Sequence, residues 1–193
     1  MPLKNTAAFI TLLTLGFADA AFGIAKAGPY DPSENHPYGR PNPEQKDAEA
    51  RVFDQFIGTY NCTQKRTNPQ TKQITESEAT WTWEYDMNGY AVRDKFRYGE
   101  AAPVSQRFYN PSTKQWHVWY FLGQQFYYAG EWIGGGKDDR LIFEQKYKDA
   151  DGEETLSRLE FFNITDTSYN WHSTNIIEKT GEISIDWEIA CKR

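Results

Sequence analysis

The chain has 193 residues, of which 39% are hydrophobic, 25% charged and 16% aromatic, and its formal net charge is −6. That is the size and balance of one globular domain with a real core, and the acidic balance argues against a basic, phosphate-tracking surface, so no nucleic-acid partner is expected. Three histidines and two cysteines in no CxxC or Cys/His cluster argue against a metal site, and no cofactor-binding signature is present.

The first residues read as an export signal. Lys4 precedes the apolar "TAAFITLLTLGFADAAFG", and small residues stand at cleavage spacing in "ADA", ending at Ala20, or "AKA", ending at Ala27. Residues 1–27 are therefore expected to be removed, which makes the product periplasmic or secreted. The apolar run, broken by Asp19, is short for a bilayer, so no transmembrane segment is expected after cleavage. Residues 28–42, "GPYDPSENHPYGRPN", have the composition of a flexible or extended arm. A single domain is expected over 43–193.

That domain opens with an amphipathic helix predicted over 43–57. Asn42 is placed to cap it, Pro43 suits its first position, and Gln45 completes a capping-box spacing. Val52, Phe53, Phe56 and Ile57 form one stripe, and Gly58 stands where a helix-terminating glycine belongs. Beyond Gly58 the periodicity changes to two. Ala79, Trp81, Trp83 and Tyr85 share one face of "ATWTWEY", and Ile183, Ile185, Trp187, Ile189 and Cys191 share one face of "ISIDWEIAC". Turn signals such as "DMNG", "NPSTK" and "EKTGE" separate the runs, which predicts an all-β antiparallel meander of about ten strands. Closing such a meander into a barrel removes its two edges. Cys62 falls in the first strand and Cys191 in the last; in an exported protein they form one disulfide across the seam, the alternative being two buried thiols.

On these elements the chain resembles the lipocalin-like, or calycin, β-barrels, and in particular a bacterial branch of small exported proteins of unknown function. The resemblance rests on "FIGTY", on "YNPSTKQWHVWY", on "RLEFFNITDTSYNW" and on the basic tail "CKR", and it covers roughly residues 50–193. Tyr60 stands where lipocalins carry a first-strand Trp, and the resemblance implies that Arg193 or Lys192 packs on it. It also implies a barrel with an internal cavity, but an architecture does not confer a function.

Functional candidates lie mostly in the aromatic runs. In "WHVWYFLGQQFYYAGEW", residues 116–132, aromatics occupy both faces. Trp81, Trp83, Trp116, Val118, Tyr120 and Trp187 are assigned inward, leaving Trp119 and Phe121 outside beside His117, to be covered by the 43–57 stripe, by the arm, or by a second copy in a homodimer. Asp94 and Arg158 each sit on a partly apolar face and are expected to pair inside the barrel, with Glu160 near Arg158. Trp81, Trp83, Asp94, Trp116, Tyr120, Arg158, His172 and Trp187 make up the candidate binding set for a small hydrophobic or amphiphilic ligand. Plain packing of the lumen is the structural alternative. Two further functions stay open: an acid–base enzyme of the isomerase or cyclase type using His172 or Glu160 with Asp94, and an interaction module using the outer aromatics. No residue is assigned as catalytic.

Overall fold

A computed structural model of the protein describes residues 27–123 and 127–193; the expected export signal lies outside them, save Ala27. Ten strands follow one another: β1 (Gly58–Thr67), β2 (Ile74–Asp86), β3 (Ala91–Arg97), β4 (Val104–Asn110), β5 (Gln115–Leu122), β6 (Tyr127–Lys137), β7 (Arg140–Lys148), β8 (Glu154–Phe162), β9 (Ser168–Ile177) and β10 (Glu182–Lys192). Each pairs antiparallel with its sequence neighbours, and β10 returns to β1, so the sheet is a closed all-β barrel. At the seam Cys62 and Cys191 stand directly opposite, with Cα atoms 4.1 Å apart, and form a disulfide.

The alternation in β1 and β2 survives closure. Tyr60, Cys62 and Gln64 on β1, and Ala79, Trp81, Trp83 and Tyr85 on β2, are all buried. In β10 the expected single face is cut in two. The register with β9 shifts between Ile185 and Trp187, one extra residue entering the strand. Trp187, Ile189 and Cys191 stay inward, whereas Ile183 and Ile185 turn to solvent.

The predicted 43–57 helix is shorter and tighter than its sequence pattern suggests. Only two 3-10 turns form, Ala48–Arg51 and Asp54–Phe56. Asn42 Oδ1 does accept the Glu44 amide, but Gln45 reaches Tyr90 O instead of closing a capping box. At three residues per turn, positions i and i+3 eclipse, so Phe53 and Phe56 point the same way, into one end of the barrel. Phe53 stacks on Trp83 and Phe143 at 5.6 and 5.8 Å, and Phe56 packs on Trp83 and Tyr169 at 5.2 and 4.9 Å. Trp116 Nε1 donates to Glu49 O, tying the segment to β5. The stripe is a plug for the lumen and not a cover for the outer wall; Trp119 and Phe121 remain 39% and 38% exposed.

Residues upstream are bonded to the β2–β3 turn. Tyr85 N donates to Tyr38 O, and buried Asn42 bonds Gly89 O through its amide and Asn88 O through its side chain. Gly89 has φ +78°, and a Cβ there would lie 2.4 Å from Arg40 O, so only glycine fits beneath the arm. At the same end Arg193 closes the barrel: its guanidinium lies 4.7 Å from the Tyr60 ring centroid and donates to Ile57 O at 2.7 Å. Of the two basic residues that could have packed on Tyr60, Arg193 does so.

Candidate functional site

Above the plug the lumen changes from packed to hollow. Phe53, Phe56, Trp83, Trp116, Phe143, Phe161 and Tyr169 fill the closed half. In the other half a cavity of about 130 Å³ remains, walled by Trp81, Phe96, Trp132, Trp171 and Trp187 with Val118, Leu159, Ile189 and Tyr120. Trp171 packs against Trp187 at 5.0 Å and against Trp81 at 5.9 Å, both in T-shaped arrangements.

Three of the four indole N–H groups of these walls find protein partners. Trp81 Nε1 donates to Asp94 Oδ1 at 2.8 Å, Trp132 Nε1 to Ser157 Oγ at 3.1 Å, and Trp187 Nε1 to Gln64 Oε1 at 2.9 Å. Deeper, Trp83 Nε1 donates to the Tyr169 hydroxyl at 2.9 Å. Each ring is thereby locked in orientation, which is what a pre-formed wall requires.

Polar groups meet the cavity at two levels. On its floor Asp94 and Arg107, both fully buried, form an ion pair. Arg107 also lies over Trp83 and Phe53, at 4.5 and 5.2 Å from the ring centroids, and its Nε has no hydrogen-bond partner among the described residues. Burial drives the guanidinium pKa below its usual value, to about 9, with Tyr169 opposing. Ser105 and Ser173 add hydroxyls to the walls.

The second level is the mouth. Arg66, near the end of β1, lies over the Trp187 ring, its Cζ 3.2 Å from the centroid, and 5.4 Å from that of Tyr98. Its Nη2 donates to the Tyr98 hydroxyl at 3.3 Å and its Nε to Gln64 Oε1 at 3.4 Å. Burial lowers its pKa, with Tyr98 and then Tyr120 opposing. The Tyr120 hydroxyl, at the same level, is pushed well above the ordinary phenol range by burial.

The expected binding residues therefore divide. Trp81, Asp94, Tyr120 and Trp187 line the cavity. Trp83 and Trp116 point inward but belong to the packed half. Arg158 and His172 do not enter the lumen. Arg158 donates to Glu144 at 2.8 Å on the outer wall, so the expected Asp94–Arg158 pair does not form; Arg107 takes the place of Arg158. His172 Nε2 lies 3.1 Å from Glu160 Oε2, and Arg140 pairs with the same carboxylate. In β8 the inward face is Thr155, Ser157, Leu159 and Phe161, which places Arg158 and Glu160 on the other side. The acid–base arrangement of His172 or Glu160 with Asp94 across the lumen is thus absent.

Arg107, Trp132, Trp171 and Arg66 escaped the sequence reading. For Trp171 a signal exists: "SYNWHSTN" alternates Tyr169 and Trp171 against the polar Asn170, His172 and Thr174, which also turns His172 outward. "VSQRFYN" offers none, because Ser105, Arg107 and Tyr109 are no more apolar than Gln106 and Phe108.

On the outer wall Trp119 lies 5.0 Å from Phe108, and Phe121 lies 5.5 Å from Tyr128. Glu131 Oε1 accepts from Trp119 Nε1 and contacts His117 Nδ1. No helix among the described residues is long and apolar enough to cross a membrane.

No protein-family model and no curated protein matches the sequence. Among solved structures, a redesigned β-barrel is similar at 10% identity and a TM-score of 0.33, over 76% of this chain and 98% of that one. EF1p2_mFAP2b bound to DFHBI is similar at 14% identity and a TM-score of 0.34, over 76% of this chain and 99% of that one.

Proposed function

We propose that the protein is an exported, calycin-like barrel that binds one small, flat, partly apolar molecule in the open half of its lumen. The observation that carries this reading is the aromatic cavity of about 130 Å³ above a plugged base, with a buried ion pair in its floor. Volume sets the ligand class. An engineered apolar cavity of roughly 150 Å³ holds benzene, so the space suits a single ring with one short substituent. Larger lipids would have to extend from the mouth. Export is supported by the leader pattern of residues 1–27 and by the Cys62–Cys191 disulfide, a bond typical of oxidising compartments.

Tryptophan emission and thermal melting test the reading with neutral rings: phenol, benzyl alcohol and indole. Trp81, Trp132, Trp171 and Trp187 all face the space, so a bound ring is expected to change emission saturably. Melting temperature should rise with ligand, by an amount corresponding to about 2.7 kcal/mol at one hundred times Kd. A Leu159→Trp variant, which fills the cavity from β8, should lose both responses while keeping its fold by circular dichroism. Neutral rings that leave emission and melting unchanged at millimolar concentration overturn the proposal.

A further inference from the structure

Arg66 is a cation without an anion. Among the described residues it has no carboxylate partner; its hydrogen bonds go to the neutral oxygens of Gln64 and Tyr98. The groups that act electrostatically on it are two tyrosine hydroxyls, Tyr98 and Tyr120. Asp186, a carboxylate that lines the same surface recess as Arg66, forms no ion pair with it and accepts from Asn175 Nδ2. Half-burying a guanidinium beside aromatic rings costs solvation free energy, and such groups normally recover it from a paired carboxylate. Among the described residues none pairs with Arg66.

Its position is also built. Gln64 Oε1 accepts from both Arg66 Nε and Trp187 Nε1, so one buried side chain fixes the guanidinium and the cavity wall together. The guanidinium lies over Trp187, a wall of the cavity, and itself borders the adjoining surface recess that it shares with Thr67, Thr75 and Asp186. A planar guanidinium presents donors that match a carboxylate two at a time.

We propose that the mouth is an anion-recognition site and that the ligand is a ring-bearing carboxylate, its ring in the aromatic cavity and its carboxylate on Arg66. This rests on the binding role of the lumen and adds the charge of the ligand to it. The Asp94–Arg107 pair, internally neutral, serves the buried end of the ring and adds no preference for an anion.

The test compares three probes of one shape by isothermal titration at low salt: phenylacetate, its neutral amide phenylacetamide, and the cation phenethylammonium. Phenylacetate is expected to bind at least 10-fold more tightly than the amide, with the cation weakest. In Arg66→Gln the acetate-to-amide ratio should fall to within about 2-fold while amide affinity is retained, and Arg66→Lys should keep part of the preference. Equal affinities for acetate and amide in the unaltered protein overturn the anion site and leave the lumen reading standing. So does a ratio unchanged in Arg66→Gln. Binding of none of the three, with neutral rings also silent, overturns both.

Discussion

Asp94 and Arg107 form the most exposed point of the design in energetic terms, because each is buried and each depends on the other. Asp94 also accepts from Trp81, so its loss would release a cavity wall as well as a charge. Removing one partner of a buried pair typically costs about 3–5 kcal/mol, since the other charge is left in a low dielectric, whereas replacing both by apolar groups is often nearly neutral. Asp94→Leu alone is therefore expected to lower the urea midpoint sharply. Asp94→Leu combined with Arg107→Met should recover most of that loss. A double variant no more stable than the single one would show that the pair contributes something other than mutual charge compensation. The outer-wall carboxylates behave differently. Burial raises the Glu160 pKa, but hydrogen bonds from Arg140 and His172 outweigh it and hold the group below its ordinary value. Its contribution is present above the unfolded carboxylate pKa, about 4.3, and is lost as pH falls through the lower folded value.

The segment from Ala48 to Phe56 acts as one element although it holds only two 3-10 turns. Its stability comes from tertiary contacts, because turns this short do not persist alone. Phe56 is fully buried and touches Trp83, Phe161 and Tyr169. Phe56→Ala is expected to cost about 3–5 kcal/mol, the range for an aromatic removed from a close-packed core. Chemical denaturation would measure this directly. The neutral-ring response of the open half should persist in the variant under native conditions, since the plug and the cavity occupy different halves of the lumen. A Phe56→Ala protein of unaltered stability would mean that the plug is not packed as described.

For the whole molecule the seam is decisive. Closure pairs β1 with β10, and the disulfide locks them across a sequence separation of 129 residues. Chain-entropy reasoning assigns a loop of this length up to about 4–5 kcal/mol, and native strain or residual unfolded structure commonly reduces that figure. Cys62→Ser with Cys191→Ser is expected to lower the melting temperature while the barrel persists. The ladder between these strands runs from Asn61 to Arg66 without the sulfur bridge. Collapse of the far-ultraviolet strand signal in the double variant at room temperature would show that hydrogen bonding alone does not hold the ring shut.

Class, strand count, seam and the inward faces of β1 and β2 were legible from residue order alone, because period-two alternation and turn chemistry are local properties. The Cys62–Cys191 pairing was legible too, since two cysteines in the first and last strands of a closed ring have one geometry in which to meet. The site was only half legible. Trp81, Asp94, Tyr120 and Trp187 were found by their faces, but β4 and β8 mix polar and apolar residues on both sides, so Arg107 was missed and Arg158 was placed inside. A stripe such as Val52, Phe53, Phe56 and Ile57 reveals that it must be buried, not against what. Whether those phenylalanines cover the wall or plug the lumen, which arginine reaches Asp94, and how much of the interior stays hollow depend on contacts between residues far apart in the chain. Only the closed barrel, by fixing those distances, decides them.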